Sequence, residues 1–447
     1  MASGLTLLLM VATAGRYGYH RDELYFLAAG QHLDWGYPDQ PSLVPLLARL
    51  LDTGSVTVLR LPSAVSTAAI VLLVGLVAKC LGARTSGQWL ACLGTLTGGL
   101  VAGVGHLLST STFLVLGTVV VLYLVIVIAQ GGDRRLWLLV GVVGGVTFWA
   151  HVLIGFVLLA LAATIRRPGP LVAGAIALAI GSPYLIWQAG EGWPQLEVAS
   201  NIAGGGSGSS VTRPLFLVLL VLQNGPWLAP VWIAGVVRGL RAVGERETAL
   251  RPIALSFIVL TGIFVVVGGK PYYLAGFVPI LLAAGAQPFI DRVRSWLTPT
   301  LLVLSLPGVV FALPVLPVSA SGPVIAVNPE QGETVGWRSL ADQVEAVLPP
   351  GHVVLTGNYG EAGAVQRYTD LPVFSGHNGY GLWDQPPGST PALLVELAPL
   401  VPHLCAESAL VGRIEMPVGN DEDQASLYTC TPQRPWAELW PRIRFLG

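Results

Sequence analysis

The sequence predicts a polytopic α-helical membrane protein of about eleven spans, followed by a small C-terminal α/β domain. Three observations carry this reading. Of 447 residues, 53% are hydrophobic and only 11% charged, with a mean hydropathy of +0.67. Apolar runs approaching the ~20 residues that cross a bilayer recur through the first two thirds of the chain. The net charge of −1 hides two unlike regions: residues 1–317 hold 18 basic against 11 acidic residues (+7), whereas 318–447 hold 6 against 14 (−8). Such a composition excludes a water-soluble enzyme, a nucleic-acid binder and a disordered scaffold, because too few charges remain to cover a solvated surface.

Taken in order, the apolar runs place spans at 1–15, 61–82, 88–106, 112–130, 136–149, 151–165, 170–188, 222–240, 252–268, 273–290 and 297–317. The first run lacks a basic flank and a cleavage site, so it reads as a span rather than a secretory signal. It is short, and Met1 is expected to lie inside the first helix. Lys79/Arg84, Arg134/Arg135, Arg166/Arg167, Arg238/Arg241/Arg246/Arg251 and Arg292/Arg294 fall in alternate loops, which under the positive-inside rule sets the N-terminus in the cytoplasm. The loop 16–60, the segment 189–213, the turn around 268–273 and the whole tail then face outward. The stretch 214–223 is expected to lie on the surface, since a further span there would break the arginine alternation. The Gly/Ser run 204–210 reads as a mobile outward loop.

Division into a membrane domain, 1–317, and an extracytoplasmic domain, 318–447, follows from the charge change beyond the proline-rich stretch 307–323. In the tail, β-like runs at 352–356, 392–397 and 426–430 alternate with helix-like ones at 335–347 and 361–368. Cys80 and Cys92 lie in apolar helical runs and read as inert filler. Cys405 and Cys430, in the polar tail, are expected to form a disulfide if that tail is outside the cytoplasm.

Acidic residues are scarce in the membrane region, yet five of its eleven, Asp22, Glu23, Asp34, Asp39 and Asp52, crowd into the first outward loop. Tyr19-His20-Arg21-Asp22-Glu23 sets an adjacent acidic pair just beyond a span, at a depth where ionisable groups are costly unless they serve a site. Trp35-Gly36-Tyr37-Pro38-Asp39-Gln40-Pro41 places another carboxylate in a turn ahead of the amphipathic stretch Leu43–Leu51. By themselves these acids are equally readable as loop solvation and helix caps.

The Arg21-Asp22-Glu23 segment, the Tyr37-Pro38-Asp39-Gln40-Pro41 turn, Lys270-Pro271-Tyr272-Tyr273 and the terminal Trp436-Ala437-Glu438-Leu439-Trp440-Pro441-Arg442 together resemble bacterial members of glycosyltransferase family 39. That family includes the protein O-mannosyltransferases and the lipid A aminoarabinose transferase, and has the GT-C membrane fold. The resemblance spans essentially the whole chain. It implies a polyprenyl-phosphate sugar donor, an envelope lipid, polysaccharide or protein acceptor, and inverting transfer on the outer face. It further implies Asp22 as catalytic base, Glu23 as its neighbour, and Asp39 as a second carboxylate of the active-site cavity.

Physical requirements agree with this assignment. A lipid-linked donor presents its phosphate at the interface, transfer to a hydroxyl needs a carboxylate to take the proton, and cations stabilise the departing phosphate. Arg21, Arg60 and Lys270 are the outward-side candidates, with Tyr272 and Tyr273 beside the lysine; an interfacial, snorkelling role explains Lys270 equally well. His151 stands where related sequences often carry a basic residue, so phosphate contact there would fall to it. The histidines, His20, His32 and His106 among them, lack metal-ligand spacing, so no cofactor is expected and a divalent metal is left open but not indicated. In the tail, Asn358-Tyr359-Gly360-Glu361, Ser375 to Tyr380 and Trp383-Asp384 are rich in glycine and aromatics; they read as a glycan-binding face or as turns and interfacial anchors. Two other functional classes stand beside the enzyme. A flippase or transporter of lipid-linked sugars predicts half-chain repeats and midplane charges, which the sequence lacks; a non-catalytic glycan-binding assembly protein predicts a dispensable Asp-Glu pair.

Overall fold

The computed structural model describes residues 1–205, 211–244 and 247–447. Most of the Gly/Ser run 204–210, and Arg246 of the basic loop, lie outside the described residues. The chain forms two compact units, the first Met1–Ala14, Arg60–Glu191 and Ser200–Leu313, the second Gly15–Leu59, Gly192–Ala199 and Pro314–Gly447. Composition alone joined the first loop to the membrane region. In the structure it packs with the tail.

The first unit is helical. Among the described residues, Val56–Cys80, Thr110–Ala129, Gly169–Gly190 and Leu250–Val267 are long and apolar enough to cross a membrane, and shorter apolar helices include Ala2–Ala14, Leu136–Phe148, Ile154–Thr164, Pro226–Leu240 and Phe277–Ile290. The expected span 88–106 is instead two helices, Thr85–Thr97 and Leu100–His106, broken at Gly99, whose φ of +94° lies in a region L side chains disfavour. Residues 213–223 form a separate helix, Arg213–Gln223. In lipid there is no hydrophobic drive between helices, so close packing of small residues carries the association. A Cβ on Gly235 would strike the Leu281 carbonyl and one on Gly285 the Val231 carbonyl, so the helices holding them meet backbone to backbone.

One end of this unit gathers the basic loops. Arg84 pairs with Asp291, and Arg238 pairs with Glu247 at 2.7 Å while donating to the carbonyls of Leu81 and Ala284. Three loops predicted to share one side of the membrane therefore meet. An open cleft of about 830 Å³ at this end, lined by Leu81, Arg238, Arg241 and Asp291 among others, contains none of the expected site residues.

The second unit is built on a five-stranded sheet of order β2-β1-β3-β5-β4, with β1 Val353–Thr356, β2 Val373–Ser375, β3 Ala392–Val395, β4 Cys405–Arg413 and β5 Ser426–Pro432. β1 pairs in parallel with β2 and β3, while β5 runs antiparallel to β3 and β4. Every residue of β1 and β3 is buried, which explains their uninterrupted apolar sequences. The terminal helix Trp436–Ile443 sets Trp436, Leu439, Trp440 and Ile443 into a core with Leu355, Leu394 and Cys430. Cys405 and Cys430 form the expected disulfide between β4 and β5.

Helix Tyr359–Tyr368 links β1 to β2 and receives helix Arg21–Gln31 of the first loop. The approach is close: a Cβ on Gly363 would lie 2.8 Å from the Leu24 Cβ, and one on Gly360 2.9 Å from the Arg21 Cβ. The amphipathic helix Leu43–Leu51 packs in turn on Arg21–Gln31, where Arg49 donates to the Gly30 carbonyl at 3.0 Å.

Candidate active site

The acidic pair of the first loop is divided between two tasks. His20 precedes helix Arg21–Gln31 in extended conformation; its Nδ1 accepts the Asp22 amide at 3.1 Å, and the Glu23 carboxylate accepts the His20 amide at 2.9 Å. This reciprocal cap satisfies amides that a helix start otherwise leaves orphaned. Glu23 is completely buried in doing so. Asp22 projects instead, with 45% of its side chain exposed. Burial would lower His20, but its hydrogen bond to Glu330 at 3.3 Å and the charge of Asp22 outweigh that and raise it.

Two tyrosines then join the two candidate carboxylates. Tyr359 Oη donates to Asp22 Oδ1 at 2.8 Å, and Tyr25 Oη donates to Asp39 Oδ1 at 2.8 Å. The two tyrosine rings lie 4.9 Å apart. Asp39 is held there by the closed turn in which the Tyr37 amide donates to the Gln40 carbonyl at 2.9 Å, and Tyr37 Oη anchors that turn on the Ala29 carbonyl. Burial, reinforced by the Asp22 charge, pushes Asp39 up to about 7 even though the Tyr25 hydrogen bond opposes it. Arg21 Nε stands 4.0 Å from Asp22, and its guanidinium also faces Glu333 at 3.8 Å.

Aromatic rings complete the recess. Trp383 stacks on Tyr25 at 5.9 Å and on the exposed His32 at 4.5 Å, and Tyr380 lies 4.9 Å from Trp383. His377 packs between Tyr359 and Phe445, and burial lowers it to about 4, which keeps it neutral near pH 7. Tyr25 was not among the expected site residues, and the tail aromatics were readable only as a sugar face or as turns. The structure brings Tyr359, His377, Tyr380 and Trp383 to the same helix that carries Asp22. Aromatic faces beside carboxylates suit a sugar, whose C–H faces stack on rings while its hydroxyls reach polar groups.

In the first unit, His151, Lys270, Tyr272 and Tyr273 come together. His151 meets the Tyr273 ring edge-on at 6.2 Å, Tyr272 and Tyr273 contact at 5.1 Å, and the buried Lys270 sets its Nζ 6.0 Å from the centre of the Tyr272 ring. Arg60 is on helix Val56–Cys80. It is fully buried, donates to the Ala14 carbonyl at 2.9 Å, and stands 3.2 Å from His106 Nε2.

Comparison with known proteins meets this geometry. The family model described as dolichyl-phosphate-mannose-protein mannosyltransferase matches residues 40–187. No curated protein sequence matches the chain significantly. Among solved structures, ArnT from Cupriavidus metallidurans in the apo state is 13% identical with a TM-score of 0.64, covering 96% of this chain and 97% of that one. The same protein bound to undecaprenyl phosphate is 16% identical with a TM-score of 0.57, covering 97% of each chain. The arabinofuranosyltransferase AftD from Mycobacteria is 13% identical with a TM-score of 0.51, over 97% of this chain and 41% of that one. At such identities the likeness is one of fold. The chain thus has the GT-C fold that the resemblance implies, and the matching model of a GT-C family covers residues 40–187 of it.

Proposed function

We propose that this protein is a membrane glycosyltransferase that moves a sugar from a polyprenyl phosphate to a hydroxyl of an envelope lipid, polysaccharide or protein, on the outer face and with inversion. The observation that carries the proposal is the Asp22 carboxylate: partly exposed at a helix start, held on one oxygen by Tyr359, and linked to Asp39 through Tyr359 and Tyr25, whose rings are in contact. Undecaprenyl phosphate bound to Cupriavidus ArnT, a protein of the same fold, supports the class of donor.

In this mechanism Asp22 Oδ2 takes the proton of the acceptor hydroxyl as its oxygen bonds to the anomeric carbon, and the bond from that carbon to the phosphate oxygen breaks with the electron pair leaving on the phosphate. Glu23 keeps the backbone of Asp22 in place. Asp39, half-protonated near neutral pH, orients sugar hydroxyls against the aromatic rings. Arg21, Lys270 and His151, with the Tyr272 and Tyr273 hydroxyls, are the proposed stabilisers of the phosphate charge. Arg60 is not included, because it is fully buried and its guanidinium already contacts Ala14 and His106.

Orientation follows the arginines, with the N-terminus cytoplasmic and the tail outside. Two packing facts support it: three basic loops meet at one end of the first unit, and segments from the first loop, 192–199 and the tail share the second unit.

The decisive experiment uses purified full-length Asp22→Asn supplied with polyprenyl-phosphate sugar. Asparagine keeps size and much of the hydrogen bonding but removes basicity, so turnover falls about 100-fold or more while donor binding persists. Turnover close to that of the parent protein would exclude Asp22 as the base. Lost donor binding in a folded variant would reassign it to organising the phosphate.

A further inference from the structure

We propose that Glu361, Glu396 and Glu422, in the tail, form a binding site for a hard divalent cation, with Ca²⁺ preferred over Mg²⁺. The three approach from different elements: Glu361 from the first turn of helix Tyr359–Tyr368, Glu396 from the end of β3, and Glu422 from the loop before β5. One carboxylate oxygen from each can be chosen so that all lie within 4.8 Å of one another. That spacing suits a shared ion, because oxygens about 2.4 Å from a Ca²⁺ centre are separated by up to twice that distance, whereas Mg²⁺ needs oxygens near 2.1 Å in strict octahedral array.

Charge and hydrogen bonding point the same way. Among the described residues, none of the three pairs with a Lys, Arg or His. Their neutral side-chain partner is Asn358, whose Nδ2 donates to Glu396 Oε2 at 2.9 Å and to Glu422 Oε1 at 3.0 Å. Glu361 Oε2 accepts the amides of Gly357 and Asn358 at 2.9 and 3.1 Å. That leaves Glu361 Oε1 and Glu422 Oε2 buried without a hydrogen-bond partner, in side chains that are 0% and 2% exposed. Two orphaned carboxylate oxygens in one cluster are an unusual cost for a folded protein, and hard cations take such oxygens as ligands. Glu396 is held with φ +56°, a conformation rare for a residue other than glycine, at the position where its Cβ faces Gly357 across the cluster.

The site has a structural reach. Asn358 and Glu361 close the cap of the helix whose first residue, Tyr359, holds Asp22. A cation bound by Glu361 therefore braces the turn that presents Tyr359.

The test uses the full-length protein in detergent after chelator treatment, titrated with CaCl₂ or MgCl₂ by calorimetry and followed by thermal unfolding. One Ca²⁺ binds per chain, raising the unfolding midpoint by several degrees, and Mg²⁺ binds at least tenfold more weakly. Glu422→Gln loses this binding. Glu396→Gln, at an exposed position that tolerates the change, weakens it at least tenfold, whereas Asp22→Asn binds Ca²⁺ as the parent does whatever its turnover. The proposal is overturned if millimolar Ca²⁺ leaves the midpoint unchanged with no stoichiometric binding, if Glu396→Gln binds like the parent, or if Mg²⁺ binds as tightly as Ca²⁺.

Discussion

Tyr359 and Asp22 are 337 positions apart in sequence, and the phenol of one donates to the carboxylate of the other at 2.8 Å. A donor on Oδ1 fixes the carboxylate plane and leaves Oδ2 toward whatever hydroxyl approaches. The geometry of the Asp22 carboxylate is thus set by the tail as well as by the first loop.

Tyr359→Phe removes this hydrogen bond and keeps the ring that packs on Tyr25 and His377. The expected result is a fall in kcat of about tenfold, with KM for the donor changed much less, since the carboxylate loses orientation but the site keeps its shape. Steady-state kinetics at several donor concentrations would reveal it, and an unchanged kcat would separate Tyr359 from the chemistry.

Asp39 supplies a pH prediction for stability. Its folded-state value, about 7, stands above its ordinary 3.8, so the folded protein holds this proton more tightly than the unfolded chain. The resulting stabilisation is complete below about pH 4 and is lost as the pH rises toward about 7. Asp39→Asn lacks it. Thermal unfolding should therefore find the variant gaining on the parent between pH 4.5 and 8; a constant difference would contradict the burial of Asp39. Turnover by the same variant should fall, because a sugar-orienting carboxylate is gone.

The Cys405–Cys430 bridge closes a loop of 25 residues. Constraining such a loop in the unfolded chain contributes roughly 3 kcal/mol. Replacing both cysteines with serine should lower the unfolding midpoint of the tail, and mass spectrometry without reductant should find neither thiol alkylated in the parent protein.

Asp52 carries no expected role in the chemistry. It pairs with Arg367 at 2.9 Å, and Arg367 also donates to Tyr19 Oη at 3.0 Å. Both partners of the pair are partly exposed, so Asp52→Asn should cost at most about 1 kcal/mol of stability, and turnover should stay within about twofold. A loss comparable to that of Asp22→Asn would show that the acids of this loop cannot be told apart by position.

Fusions to topology reporters at residue 330 and in the 241–250 loop should give opposite locations. A cytoplasmic signal from residue 330 would remove the outer-face site.

What the sequence made readable were features of short range. Leucine- and valine-rich runs mark the helices, the alternation of arginines orders their ends, and the buried strands at 353–356 and 392–395 stand out as apolar segments between turns. Gly99 broke an expected span because a single left-handed residue weighs little in an average over twenty. Convergence was harder to read. Nothing adjacent to Tyr359 or Trp383 announces Asp22 or Tyr25, since those contacts depend on a helix of the first loop docking on a helix of the tail through Gly360 and Gly363. The unlike fates of Asp22 and Glu23 had one local signal, a histidine three positions ahead of a glutamate at a helix start, and Asn358 with Glu361 repeats the same spacing.

Because the second unit draws on both the first sixty residues and the last hundred and thirty, it is finished late in synthesis. Asp22 leaves the ribosome long before Tyr359 exists, and until then the helix bearing it lacks the tail helix it docks on. Contacts of such wide sequence separation form slowly. A nascent chain halted at residue 313 would hold the described helices of the first unit and still lack the phenol that orders Asp22, so this carboxylate gains its partner only once the tail has been made.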